Sequence, residues 1–220
     1  HTTCNIANPY KGMSTVFYVL ILILSVMVHE VAHGFMAYKE GDPTAKVAGR
    51  LTLNPLKHID PIGTIILPLI LVLTNAGFLF GWAKPVPYNP NNFRNRRRGT
   101  MLVAAAGIIM NIIIAVAFSI LIRFLPSMTF LSANMAQGMM DISISIVLIN
   151  VLLAIFNLIP IPPLDGSRIL FSLLPARFFK YESWLERYSL AFVIIFVIFG
   201  WKFILPLVFS VFSLLTGVQV

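Results

Sequence analysis

The sequence predicts an all-α membrane protein, built as a multi-pass helical bundle with about four to six spanning helices. Composition supports this class, because 58% of the 220 residues are hydrophobic and only 11% are charged. Soluble domains carry about 25% charged residues. The arrangement of the charges supports it as well: long uncharged runs alternate with short polar connectors, and several runs reach the ~20 residues that cross a ~30 Å hydrocarbon core.

The uncharged runs mark the candidate spans. They cover residues 12–28, 61–83, 99–122, 142–164, 189–201 and 203–220. The first run has no small-residue cleavage site, so we expect a retained span and not a removed signal peptide. The last two runs fit either one long tilted helix or two short ones.

We expect one membrane-embedded domain over residues 13–220, with no internal repeat and no soluble domain. Residues 1–12 differ from the rest, and we expect a prefix that is either non-native or part of a longer precursor. The single cysteine, Cys4, excludes an internal disulfide. The net charge of +8 does not indicate nucleic-acid binding, because basic residues that flank apolar spans are what the positive-inside rule produces.

Two polar connectors carry local signals. Residues 46–54 alternate in character between Pro43 and Pro55, which predicts a short β element at the membrane surface. We expect the edge of this strand, near Leu51, to hold an unwound peptide by strand pairing. Residues 82–90 are too rich in proline for a helix and should be extended.

The sharpest chemical signal is His29-Glu30-Val31-Ala32-His33, at the end of the first apolar run. On a helix, residues four apart share a face, so both imidazoles can reach one metal ion. The glutamate between them is placed to act on a water molecule at that ion. Two buried histidines satisfied by carbonyl groups are the simpler alternative, but ionisable residues at membrane depth are expensive and usually functional.

A third metal ligand is needed, because catalytic zinc takes three protein ligands and keeps one open position. Asp165 is the best candidate, since it ends the segment Asn157-Leu-Ile-Pro-Ile-Pro-Pro-Leu-Asp165-Gly166. Its prolines must break the preceding helix, and broken backbone at membrane depth survives only inside protein or beside a water-filled cavity. An ordinary helix end with a capping turn is the alternative.

These motifs resemble the site-2 protease family of intramembrane metalloproteases. The resemblance rests on the His29-to-His33 motif, on the Asn157-to-Gly166 segment and on Gly107-Ile-Ile-Met-Asn111 between them. It covers residues 13 to about 174 in the family's order. The chain has no PDZ-like or CBS-like domain, so it resembles the compact members.

The resemblance implies one catalytic zinc ion and a residue for each role. The implied ligands are His29, His33 and Asp165. Glu30 is implied as the catalytic base that takes a proton from the attacking water and passes it to the leaving amine. Asn157, and with a weaker match Asn111, are implied to hold the substrate or its oxyanion. Many relatives have proline where this chain has Ile108.

Charge and topology restrict the placement of the site. For one zinc ion to contact both His33 and Asp165, their two spans should run in the same direction. This is easier if residues 61–83, which contain Pro68, form a re-entrant segment that dips in and returns. One side then carries most of the 16 basic residues, namely Lys39, Lys46, Arg50, Lys57, Lys84, Arg94, Arg96, Arg97, Arg98, Arg168, Arg177, Lys180 and Arg187. The positive-inside rule places that side in the cytosol.

The sequence therefore predicts an intramembrane zinc endopeptidase in the cell membrane. Its substrate would be a transmembrane protein, cleaved near the cytosolic face, with membrane lipid as the other partner; any regulatory membrane partner is unknown. One alternative is a glutamate-ligated membrane zinc peptidase that uses Glu182 or Glu186. Another is a non-catalytic metal binder or transporter, although transporters usually have inverted repeats.

Overall fold

The computed structural model describes residues 15–58, 60–74 and 84–218. Within these residues the chain is helical and has no strand. The helices are α1 (Thr15–Lys39), α2 (Thr44–Val47), α3 (Leu67–Leu73), α4 (Arg96–Phe124), α5 (Ala133–Leu158), α6 (Asp165–Leu173), α7 (Phe179–Arg187) and α8 (Ser189–Thr216). A π-helical turn (Pro61–Ile66) leads into α3.

Three helices among the described residues are long and apolar enough to cross a membrane, as judged by length and composition. They lie at Val16–Lys39, Arg96–Ser127 and Ala133–Leu158. The predicted all-α membrane class is therefore confirmed. Helix α8 is one helix of 28 residues with an apolar part at Lys202–Thr216. The last part of the chain therefore forms one long helix over Ser189–Thr216 and not two short ones. The predicted four to six spans stay a prediction.

The end of α1 and the start of α4 meet. The backbone N–H of Arg94 donates to the carbonyl of Glu40 at 3.0 Å. The long connection between these helices is joined again further in, where the N–H of Lys84 donates to the carbonyl of His58 at 2.8 Å. The connection between α1 and α4 is therefore closed by two backbone contacts, one inside the other along the chain.

Helix α5 lies against both α1 and α4. The Asn150 amide of α5 donates to the Ser25 hydroxyl of α1 at 3.0 Å, and both side chains are buried. An apolar core joins α4, α5 and α8, and its buried members are Ala115, Ile122, Val147, Val151, Ile204, Val208 and Phe212. At the end of α8, the Arg123 guanidinium donates to the carbonyls of Leu214 and Leu215, which satisfies groups that a helix end leaves unpaired.

The predicted strand over residues 46–54 is wrong. This stretch begins inside α2, where local hydrogen bonds such as that from Ala48 N–H to the Thr44 carbonyl (2.9 Å) commit the backbone to helix. Gly49 then has φ of 63°, a left-handed conformation that ends the helix in a turn. Alternating polarity does not make a strand where the backbone groups are already paired locally.

Candidate metal centre

Helix α1 carries the two histidines on one face. Their rings meet edge to face with centroids 4.5 Å apart, as the spacing of four residues requires. His29 is 5% exposed and His33 is 6% exposed, so the motif lies inside the protein. The Nε2 atoms of the two rings are 3.0 Å apart.

Helix α4 orients the His33 ring. The Nδ1 atom of His33 is 2.7 Å from the carbonyl oxygen of Val103. A carbonyl oxygen only accepts, so Nδ1 carries the proton, and the neutral imidazole presents a lone pair at Nε2. A hydrogen bond at the outer nitrogen fixes a metal-binding imidazole in this way.

Asn111 of α4 holds His29 from the same side. Its side chain is fully buried, with the amide nitrogen 3.1 Å from His29 Nδ1 and with Oδ1 unpaired. The amide can turn either end toward the ring. With the oxygen toward His29, the Nδ1 proton is donated to it, Oδ1 is satisfied and Nε2 keeps its lone pair.

Gly107 makes room for both rings between these two partners. A Cβ atom at this position would lie 2.5 Å from His33 Cε1 and 2.6 Å from His29 Cε1. Real Cβ atoms do not approach other atoms so closely, so any larger residue would push the imidazoles away from their partners. The glycine is therefore part of the geometry of the site.

The segment after α5 folds back to bring Asp165 to the histidines. A Cβ atom at Gly166 would lie 2.2 Å from the carbonyl oxygen of Leu158, so the start of α6 packs directly on the end of α5. Asp165 is the first residue of α6 and is 7% exposed. Its Oδ2 atom lies 3.1 Å from Nε2 of both His29 and His33.

The three facing atoms fit a cation. Oδ2 of Asp165 is buried without a hydrogen-bond donor, and the imidazole atoms beside it carry lone pairs. Burying acceptors against one another is costly unless a positive charge lies between them. Tetrahedral zinc with ligands at 2.0–2.1 Å separates neighbouring ligand atoms by about 3.3 Å, close to the 3.0–3.1 Å found here.

Glu30 lies beside this group and is held by a segment outside the motif. The backbone N–H of Val86 donates to Glu30 Oε2 at 2.9 Å. No side-chain pattern in the sequence indicates this contact. The sequence also does not indicate the contact between His33 and the Val103 carbonyl, because the packing of the helices determines which backbone groups meet a side chain.

The remaining predicted residues make other contacts. The Asn157 amide, near the end of α5, donates to the carbonyl of Leu153 in its own helix. Glu182 and Glu186 belong to α7, where burial and the nearby Glu186 carboxylate raise the pKa of Glu182. Among the described residues, the group able to hold a metal ion consists of His29, His33 and Asp165.

Comparison with known proteins identifies the family of the chain. The model of peptidase family M50 matches residues 17–199. The chain belongs to peptidase family M50. The predicted resemblance to the site-2 proteases is confirmed by this match, and so is the prediction of a membrane zinc metalloprotease. The matched residues include the histidine motif, the α4 partners and the start of α6.

Relatives of this M50 chain bear names of the same kind. It is 42% identical over 191 residues to "Putative zinc metalloprotease YwhC" of Bacillus subtilis, covering 86% of this chain and 84% of that protein. It is 32% identical over 148 residues to "Putative zinc metalloprotease Rip2" of Mycolicibacterium smegmatis, covering 66% of this chain and 52% of that protein. The Rip2 protein of Mycobacterium tuberculosis is 30% identical over 146 residues, with the same coverage. No solved structure matches the chain significantly.

Proposed function

We propose that this chain is an intramembrane endopeptidase that hydrolyses peptide bonds of transmembrane proteins near the cytosolic side of the cell membrane. The observation that carries the proposal is the buried triangle of His29 Nε2, His33 Nε2 and Asp165 Oδ2, with 3.0–3.1 Å between its corners. Each imidazole has its other nitrogen held by α4, so both lone pairs are directed at one point.

Zinc is the cofactor that these ligands suit. When bound, it supplies a Lewis acid that polarises the scissile carbonyl and lowers the pKa of water. Glu30 accepts the proton of the attacking water while the water oxygen forms a bond to the carbonyl carbon. Glu30 then gives this proton to the amide nitrogen as the C–N bond breaks.

The two asparagines receive different roles in this proposal. Asn111 is fully buried against His29, so we assign it to holding the imidazole in place and not to contacting substrate. Asn157 is half-buried at the end of α5, beside the start of α6. It keeps the proposed role of holding the substrate or its oxyanion.

Cleavage of a model substrate in liposomes tests the proposed function. Purified chain is reconstituted together with a single-span peptide, and the products are weighed by mass spectrometry. We expect a cut inside the apolar segment or beside it, on the side that carries the basic connectors. Intact peptide after long incubation with zinc, or cuts confined to soluble tails, would contradict the proposal.

The proposed topology places the site toward the cytosol within a single domain over residues 13–220. We propose that residues 61–83, of which 75–83 lie outside the described residues, form a re-entrant segment, because Lys84 N–H bonds to the His58 carbonyl and Arg94 N–H bonds to the Glu40 carbonyl on either side of it. Most basic residues then share one side of the membrane, as the positive-inside rule requires.

Labelling of single cysteines checks this topology. With Cys4 replaced by serine, we expect Lys57→Cys and Lys84→Cys to react with an impermeant reagent from the same, cytosolic side of the membrane. Thr129→Cys, in the exposed loop between α4 and α5, is the matched control and should react from the other side. Labelling of positions 57 and 84 from opposite sides would show that the segment crosses.

A further inference from the structure

Residues 84–89, here named the proline segment, lie against the site between α3 and α4. The segment contains Pro85 and Pro87 and has no regular secondary structure. Its Val86 N–H donates to Glu30 Oε2 at 2.9 Å. We infer that this backbone N–H is a positioning donor, which holds the catalytic base in the orientation that peptide hydrolysis requires. The inference rests on the proposed function.

The proline segment is fixed at both ends. At its start, Lys84 N–H donates to the His58 carbonyl at 2.8 Å. At its end, Asn89 N–H donates to the carboxylate of Asp42 at 2.6 Å, and Asp42 is fully buried. Burial opposes ionisation of Asp42, but hydrogen bonds from Thr44, Asn92 and Asn89 outweigh it and lower the pKa of its carboxyl. The anchor is therefore a carboxylate at neutral pH.

A third contact ties the segment to the helix that carries Asp165. The Arg168 guanidinium of α6 donates to the Tyr88 hydroxyl and lies over the Tyr88 ring, 5.4 Å from its centroid. Tyr88 in turn stacks on Phe93, with ring centroids 6.0 Å apart. The segment therefore bridges α1 and α6, the two helices that supply the metal ligands.

The Val86 side chain sets the position of its N–H. It is 3% exposed and fits against Gly34, where a Cβ atom would lie 2.6 Å from Val86 Cγ1. Gly34 follows Glu30 by one helical turn, so both lie on the same face of α1. The glycine receives the valine side chain, and the valine N–H then reaches the carboxylate.

The flanking prolines leave Val86 as the one residue of positions 85–87 that has a backbone N–H. Pro85 and Pro87 have no N–H, so neither neighbour of Val86 can donate a backbone hydrogen bond. A residue before proline is also restricted to extended conformations, which limits the motion of Val86. A hydrogen bond to a carboxylate is among the stronger kinds. With Oε2 held by Val86, Oε1 of Glu30 is left to accept the proton of the attacking water.

A variant without the N–H tests the inference, although the proline Cδ then takes the place of the hydrogen that faces Glu30. Val86→Pro removes the donor, and the extended conformation required before Pro87 suits proline. Val86→Ala is the matched control, because it also shortens the side chain but keeps the N–H. In the liposome assay we expect Val86→Pro to lower kcat about 10- to 100-fold, a part of the 10²- to 10⁴-fold effect of a positioned base. KM and zinc content should stay unchanged. Val86→Ala keeps the N–H but loosens the packing that positions it, so it should lower kcat clearly less than Val86→Pro does.

A second pair of variants displaces the Val86 N–H by changing Gly34 of α1. Gly34→Ala would push on Val86 Cγ1 and should lower kcat about 10-fold by displacing the N–H. Adding Val86→Ala removes the nearest clashing methyl group. Leu51 Cδ2, 2.8 Å from the same Cβ position, is the end of a flexible side chain that can turn away, so the double variant should recover most of the loss. This rescue does not depend on proline being tolerated at position 86.

The outcomes separate the inference from the proposed function. If Val86→Pro and Val86→Ala have equal kcat, and the Gly34→Ala loss is not rescued, the N–H has no positioning role. If Val86→Pro has a higher kcat than the wild type, the hydrogen bond from Val86 N–H slows the reaction by restraining Glu30. That result would also contradict the inference. Failure of the wild type itself to cleave would instead contradict the proposed function.

Discussion

Glu30→Gln should abolish peptide cleavage while leaving zinc bound. Glutamine has the shape of glutamate and can still accept the Val86 N–H, but it cannot take a proton from water at neutral pH. General-base catalysis contributes about 10²- to 10⁴-fold, and the same group also protonates the leaving amine. We therefore expect the cleavage rate in liposomes to fall at least about 10³-fold, with a zinc-to-protein ratio equal to that of the wild type.

The control for this variant is a glutamate that the account leaves outside the site. Glu186→Gln makes the same chemical change on α7, where Glu186 is exposed, and should cleave at the wild-type rate. A Glu30→Gln variant that retains substantial activity would assign the base to another residue. A variant that loses zinc as well as activity would make Glu30 a ligand.

Asp165→Ala should lose zinc and, with it, activity. In the proposed site the aspartate supplies one of the three candidate ligand atoms and the only negative charge among them. Loss of a partner that merely supports a ligand typically costs 10- to 100-fold in metal affinity, so loss of a ligand should cost at least about 100-fold. Titration with a competing zinc chelator measures this change.

The rival ligand set is tested in the same titration. If Glu182 or Glu186 were the third ligand, Asp165→Ala would keep its zinc and the double variant Glu182→Ala/Glu186→Ala would lose it. We expect the reverse. Circular dichroism of each variant checks that the helices remain, since Asp165 is the first residue of α6 and its side chain is buried.

The meeting of His29, His33 and Asp165 could be predicted from sequence because each position depends on local rules. The spacing of His29 and His33 puts two imidazoles on one face of any helix, and no tertiary information is needed for this. Asp165 follows prolines that must break a helix at membrane depth, and this break is a property of the backbone. The family match covers both segments.

The parts that could not be predicted depend on contacts between distant segments. The Val103 carbonyl and the Val86 N–H are main-chain groups, and no residue type identifies them. The prediction of a β element was wrong because the alternating polarity of residues 46–54 does not reveal the helical turn before Gly49. Helix α8 continues through Gly200 and Pro206 because it packs on α4 and α5, and such packing overrides helix-breaking residues in membranes.

The central claim is that the buried triangle holds a zinc ion on which peptide cleavage depends. Wild-type chain in liposomes is stripped of metal with a chelator, assayed with the single-span peptide, and assayed again after zinc is added. We predict that cleavage stops on stripping and returns at about one zinc ion per chain, with the same cut position. Undiminished cleavage by the stripped protein would contradict the claim.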